Sequence, residues 1–326
     1  MSYNPTEWGD TTPNIKSGYA SKYAKLLTMF PFNKIERRII EGQEMTFFPK
    51  TYCKVNRVAG QGRQIIFADS KRDSSYKLMT CFHDFRTGAE VSEGVCHARY
   101  VSSKGSDEKP ESKAGASFWA SINLDDSRTK AKSRGTGWDI LNVWDYFYRG
   151  FLMLMETIAM GYPQAETSTA LMRSSYNFTH FGIQNPVGAN NNGAWIFGFR
   201  TIPNSRGYNN VYKVIDKNGT YHTIYSDMFR SGWAITFSTE VTDEVCDLNE
   251  MLLGLTNGNS SVLYEDASIP NYYYMPSGGT THYCMTTISY MPSNELSSRP
   301  IGPFAFNTSD GDSTDQRIGF WLRKAV

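Results

Sequence analysis

Residues 137–164 read GWDILNVWDYFYRGFLMLMETIAMGYPQ, and nowhere else does the chain deliver so much apolar and aromatic surface in one continuous run. The spacing predicts one long, largely buried helix. Asp139 or Asn142 is placed to cap its start by accepting a backbone N–H bond. Gly161-Tyr162-Pro163 ends it, because glycine suits the reversed C-cap and proline cannot continue a helix. Trp144, Phe147, Phe151, Met155 and Ile158 recur at three- and four-residue steps on one face. The other side carries only Asp145, Arg149 and Glu156 among Tyr148, Leu152 and Met153, so the helix requires cover over most of its circumference.

The rest of the chain supplies that cover. Its 326 residues suffice for one large domain or two ordinary ones. With 33 Lys and Arg against 32 Asp and Glu, the formal charge of +1 provides no bulk attraction for nucleic acid or an acidic membrane. The apolar run FLMLM inside the helix falls far short of the roughly 20 residues that span a bilayer. The start, MSYNPTEWGDTTPN, lacks the basic head and apolar middle of a secretory signal, so synthesis and at least initial residence in a cytoplasm are expected. Cys53, Cys81, Cys96, Cys246 and Cys284 form no CxxC pair and are an odd number, which favours buried free thiols over a disulfide framework.

Outward from the helix, residues 1–25 are polar and turn-rich and read as an N-terminal arm or attachment segment. Tyr3, Trp8, Tyr19 and Tyr23 are suited to docking on something. MTFFPKTYCKV at 45–55 is β-type and broken by Pro49, an edge strand or the meeting of two short ones, and Gln64–Ala68 is another strand candidate. Residues 102–116, SSKGSDEKPESKAGA, predict an exposed loop. Arg128, Lys130, Lys132 and Arg134 admit phosphate binding at the helix start or a solvated loop. The balanced charge and the lack of a glycine-rich cradle favour the loop. Beyond the helix, Gly, Asn, Ser, Thr and Tyr dominate, with short aromatic strands, so this half predicts loop-heavy β structure.

Four segments in order carry a family resemblance: MTFFPKTYCK near 45, GVCHARY at 94–100, GTGWDI leading into the helix, and FGIQNPVGANNNGAWIFGF at 181–199. A closing element runs from Ser277-Gly278-Gly279 to Arg317-Ile318-Gly319-Phe320-Trp321-Leu322. The set, covering residues 26–326, resembles bacteriophage tail and fibre proteins with the C-type-lectin-like fold shared by formylglycine-generating enzymes and the variable proteins of diversity-generating retroelements. Ala98 stands where that family often has proline, Gln184 where it often has glutamate, and Trp321 interrupts the closing pattern. The resemblance implies an α+β fold, one C-type-lectin-like domain over 26–326, with short twisted antiparallel strands around a long buried helix and many loops. In the retroelement relatives the ligand-facing positions lie in the closing region.

Chemistry-bearing motifs are few. The cysteine pair of formylglycine-generating enzymes has no match, since the late half offers only Cys246 and Cys284 outside any such motif. Cys81, His83, Cys96 and His97 are zinc-type ligands at a spacing that fits no standard finger. GxSxG, GxxxxGK[ST] and HExxH are absent, and His180, His222 and His282 are scattered. An Asp243/Asp266 carboxylate pair has no supporting pattern. The EPN, QPD and WND triplets of calcium-dependent lectins are missing, and Asn307–Asp312 reads better as a tight turn than as a cation loop. No cofactor or metal is therefore expected, and no catalytic residue.

The most function-like stretch is Tyr272-Tyr273-Tyr274 through Thr280-Thr281-His282-Tyr283, continued by Tyr290 and Asn294. Tyrosine offers large contact area at low rotamer cost, and small polar residues adjust hydrogen bonds. The competing reading is that alternating tyrosines pave a sheet, with Tyr283 and Met285 inward. The expectation is a non-enzymatic virion protein, made in the host cytoplasm. It would be a tail or fibre subunit that holds a bacterial surface glycan or protein through these nine residues. A homo-oligomer, a trimer by family analogy, would multiply weak contacts, and the N-terminal arm would meet other virion proteins. The alternatives are a purely architectural capsid or tail component and a polysaccharide-degrading enzyme.

Overall fold

The computed structural model describes residues 2–10, 15–58, 62–161, 179–186, 193–203, 209–225, 273–274, 283–287 and 306–326. The architecture is α+β, with mostly antiparallel sheets and few helices. Helix α1 (Ala20–Leu27) leads to a hairpin of β1 (Glu36–Ile40) and β2 (Gln43–Pro49). Its turn residues Glu41 and Gly42 both have positive φ, the geometry that matches the twist of two-residue hairpins. Pro49 separates β2 from β3 (Tyr52–Val58), so the stretch from 45 to 55 is two strands. With β4 (Gly62–Ala68) and β5 (Lys77–Leu78), β3 forms a small outlying sheet in the order β4-β3-β5.

Strand β6 (Gly94–Ala98) is buried along its whole length. A Cβ at Gly94 would collide with the Phe48 carbonyl, so only glycine permits β2 and β6 to close here. The stretch 102–116 is not simply an exposed loop. It holds the short hairpin β7 (Ser103–Lys104) and β8 (Pro110–Glu111) and buries Ser102, Ser103 and Ser112. The Ser112 N–H donates to Gln43 Oε1 at 2.6 Å and its hydroxyl to the Glu44 carbonyl at 2.7 Å, so small polar side chains enter by satisfying the sheet edge.

The basic stretch is likewise no loop: Arg128, Lys130 and Lys132 lie on α2 (Leu124–Lys132). Asn123 caps that helix by accepting from the Asp126 N–H, with Asp125 and Asp126 in the first turn and Lys130 and Lys132 in the last, as the helix dipole favours. Arg128 is bound to Asp139 at 2.9 and 3.2 Å and lies over the Phe197 ring, while Arg134 donates to the Pro110 and Glu41 carbonyls. Arg128 and Arg134 are therefore structural.

The long helix is shorter than its sequence suggests. Trp138–Ile140 is strand β9, and α3 runs from Val143 to Ala159. Asn142 accepts from the Trp144 and Asp145 N–H groups while Asp145 accepts from the Asn142 N–H, a complete capping box. Gly161, with φ +92°, provides the left-handed exit. Tyr148 at its centre is fully buried, edge-on to Phe48, Phe67 and Phe82, with its hydroxyl 2.9 Å from Thr51 Oγ1. Burial of each such ring contributes about 1.5–3 kcal/mol before packing geometry adds more.

After α3 come β10 (Thr179–His180), β11 (Ile183–Gln184), β12 (Gly193–Pro203), β13 (Asn209–Ile215) and β14 (Tyr221–Tyr225). The chain closes with β15 (Tyr273–Tyr274), β16 (Tyr283–Thr286), β17 (Phe306–Asp310), β18 (Ile318–Phe320) and β19 (Leu322–Ala325). Two sheets flank the core. One runs β1-β2-β6-β19-β9, all antiparallel, and the other β14-β13-β12-β16-β17-β15 with β18 parallel to β12. The fully buried Trp321 is the single residue between β18 in one sheet and β19 in the other, and its carbonyl accepts from the Leu141 N–H. Its interruption of the closing pattern is thus the point where the chain changes sheets.

Residues 1–25 hold three of their four aromatics inside the chain's own core. Tyr3, Trp8 and Tyr23 are buried, and only Tyr19 is exposed. The docking partner of this arm, at these side chains, is the chain itself.

Candidate functional site

The charged side chains of α3 are the natural starting point, because Asp145, Arg149 and Glu156 are all buried within the core. A buried charge survives only when paired or hydrogen-bonded. Asp145 lies 2.8 Å from Arg323 Nε, accepts from His97 Nε2 at 3.2 Å and closes the capping box. Burial would raise its carboxyl pKa, but Arg323, His97 and the Asn142 N–H outweigh that and hold it below the usual range. His97 has the opposite balance: burial pushes it down to about 4, with Asp145 opposing only in part. It is therefore a neutral imidazole donating from Nε2, and the contact is a hydrogen bond and not a charge pair. Arg323 also donates to the Cys81 and His83 carbonyls, which fastens the last strand to the segment after β5.

Arg149 donates to the Pro186 carbonyl at 3.1 Å and faces the Trp321 and Tyr146 rings. Burial lowers its pKa to about 10, which leaves it charged at neutral pH. Glu156 gathers the arm: it accepts from the Tyr3 and Tyr23 hydroxyls at 3.2 and 3.1 Å and lies 2.5 Å from His180 Nε2. Burial would lower the His180 pKa, yet Glu156 and then Asp10 raise it overall. Asp10 in turn accepts from the Tyr3 hydroxyl and from the Phe181 and Gly182 N–H groups.

The chemistry of these groups is that of struts. The Asp145–His97 pair has the orientation of a base and its orienting carboxylate, but both side chains are 0% exposed and no reactant reaches them. Burial pushes the Cys96 and Cys284 thiols up to about 12 and raises Cys81 as well, the reverse of what a nucleophile or metal ligand needs. Cys81, His83, Cys96 and His97 do not converge, and among the described residues no group of three or more His, Cys, Asp or Glu is arranged around a common point. Asp243, Asp266, Cys246 and His282 lie outside the described residues, and His222 pairs with Val214 in the β13–β14 ladder.

Of the nine expected ligand-facing residues, Tyr272, Thr280, Thr281, His282, Tyr290 and Asn294 also lie outside the described residues. The backbone places the other three around one strand. Tyr273 and Tyr274 form β15 and run parallel to β17, opposite Phe306 and Asn307. Tyr283 opens β16 on the other side of β17, opposite Asp310. Met285 is fully buried, so this edge of the sheet is anchored in the core. Asn307–Ser309 belong to β17, and the tight turn follows at Gly311, where Asp310 accepts from the Asp312 N–H.

A concave site that sequence reasoning missed lies elsewhere, between the small outlying sheet and the turn after β13. This cleft of about 410 Å³ has Tyr52, Tyr76, Lys71, Lys77, Lys217 and His83 in its walls. Its residues come from four separate segments, so no local motif announces it. Compared with known proteins, the chain matches no family model and no curated protein.

Proposed function

We propose that this chain is a non-enzymatic virion subunit of a bacteriophage tail or fibre, with a C-type-lectin-like domain. Its closing segments recognise a glycan or protein on the bacterial surface. The observation that carries the reading is the anchoring of the closing strands. β16 pairs with β12, β17 continues the same sheet, and β18–β19 cross into the other sheet, where Arg323 is tied to α3. Segments 275–282 (MPSGGTTH) and 288–305, rich in Ser, Thr, Gly and Pro, are thereby bounded by β15, β16 and β17, strands that extend from a rigid core. A recognition surface needs such a base, since rigid support reduces the ordering cost of binding.

The ordered sequence motifs support the lectin-like reading, and so does the arrangement of an early hairpin and the last strand in one antiparallel sheet over a buried helix. Sealed carboxylates and high-pKa thiols favour recognition over catalysis at the described residues. Assembly into a homo-oligomer would raise avidity through effective concentration.

The test is made in the particle. Tyr273→Ser, Tyr274→Ser and Tyr283→Ser together should yield particles that assemble normally and fail to adsorb. Loss of assembled particles would favour a purely architectural subunit instead. Turnover of a host polysaccharide, abolished by one carboxylate substitution, would favour an enzyme.

A further inference from the structure

The cleft beside the outlying sheet has the chemistry of a ligand site. Its volume of about 410 Å³ falls within the roughly 300–1,000 Å³ of small-ligand sites. Tyr52 of β3 and Tyr76, both half-buried, provide aromatic wall, and Ser74 and Thr80 add hydroxyls. His83 is held in place because its Nδ1–H donates to the Thr80 carbonyl at 3.1 Å.

The charge is one-sided. Lys71, Lys77 and Lys217 line the cleft against a single carboxylate, Glu90, which is already bound by Lys50 at 2.9 Å. Lys71 and Lys77 make no ion pair among the described residues. Their ammonium groups stand at an opening where an anion would gain attraction without displacing an existing partner.

The site is also preformed. Asp216 Oδ1 accepts from the Asn218 and Thr220 N–H groups, which fixes the turn that carries Lys217. That turn is seated against Gly88, where a Cβ would come within 2.9 Å of Asn218 Oδ1. The backbone carbonyl of His83 is fastened by Arg323. The ordering cost left for a ligand to offset is mainly that of the exposed Lys71 and Lys77 side chains.

The geometry points to an acidic saccharide as the ligand of this cleft: a carboxylate-bearing sugar chain whose ring faces lie on Tyr52 and Tyr76 and whose carboxylates meet Lys71, Lys77 and Lys217. A simple anion would leave most of the volume and the Tyr52 ring without a role. A neutral sugar would leave Lys71 and Lys77 without one. None of the described residues of β15, β16 or β17 lines the cleft, so the assignment stands independently of the receptor reading.

The experiment is calorimetric titration of the full chain with tetragalacturonate, with maltotetraose and tetra-aspartate as parallel probes. Saturable binding of tetragalacturonate is expected, weakened by salt, with little or none of the other two. Lys71→Gln with Lys77→Gln should lower the affinity at least about tenfold with unchanged melting, because both side chains are exposed, and Tyr76→Ser should lower it by a similar factor. Tyr273→Ser with Tyr283→Ser should leave this binding unaltered. No saturable binding of tetragalacturonate would overturn the assignment. Equal binding of maltotetraose or of tetra-aspartate would do the same, as would an affinity indifferent to the lysine substitutions.

Discussion

Arg323 Nε sits 2.8 Å from Asp145 Oδ2, so the last strand of the chain is tied to the first turn of its central helix. Both side chains are almost completely buried, and the rest of the Arg323 guanidinium serves the Cys81 and His83 carbonyls. Removing one partner of such a pair leaves an uncompensated charge in the core. Arg323→Met is therefore expected to cost about 3–5 kcal/mol, measured as a drop in the urea midpoint at unchanged slope.

Acid should act through the same cluster. His97 titrates near 4 in the folded chain, below its ordinary value of about 6.5, so between these values only the unfolded chain takes up the proton. Stability contributed by neutral His97 is full above about pH 6.5 and declines as pH falls toward about 4. The depressed Asp145 carboxyl extends the loss through the carboxylate range. Melting temperature followed from neutral to acid should fall in that window, and His97→Gln should flatten its upper limb.

The other end of α3 should respond in the opposite sense. His180 has a raised pKa, so its contribution is full below about 6.5 and is lost as pH rises through the folded value. Burial raises the Asp10 carboxyl as well, and ionising it at higher pH acts in the same direction. Hydrogen exchange at the Phe181 and Gly182 amides, both bound to Asp10, should show greatest protection in mild acid once corrected for the intrinsic rate. Glu156→Gln should reduce that dependence to the part that Asp10 contributes.

Gly198 has φ +95°, and a Cβ there would come within 2.5 Å of Ile215 Cγ2 and 3.4 Å of Val143 Cγ1. Strain and overlap add, so Gly198→Ala is expected to destabilise by about 2–4 kcal/mol, again read from a urea titration. An unchanged midpoint would show that the Ile215 side chain on β13 gives way more easily than its contact with Gly198 implies.

Much of the core was legible because its signals are local. Asn142 and Gly161 mark the ends of α3, and Pro49 marks the break between β2 and β3. The alternation of Trp195, Phe197 and Phe199 announces a strand whose three rings are all buried. Trp138–Ile140 misled, because its strand character comes from pairing with Leu322–Lys324, which lies at the far end of the chain. Helix α2 escaped notice for a different reason. It buries little beyond Leu124, Ser127 and Ala131, so apolar periodicity is faint, although the Asn123 cap with Asp126 was there to be read.

Function was less legible. The sequence shows three charges on one side of α3 but not their partners, which arrive from Tyr3, His97, His180, Pro186 and Arg323 only after folding. The lysine-and-tyrosine cleft is likewise assembled from distant segments. The tyrosine-rich closing region stood out by composition, and its described part, Tyr273, Tyr274 and Tyr283, borders a single strand, β17.

The most direct test of the central claim is binding of the purified protein to a panel of intact bacteria. It is set beside a variant carrying Tyr273→Ser, Tyr274→Ser and Tyr283→Ser, with equal folding and oligomeric state verified. Recognition through the closing strands predicts strain-selective binding that the variant loses. Full retention of binding by the variant, or no binding to any strain by the folded wild type, would contradict it.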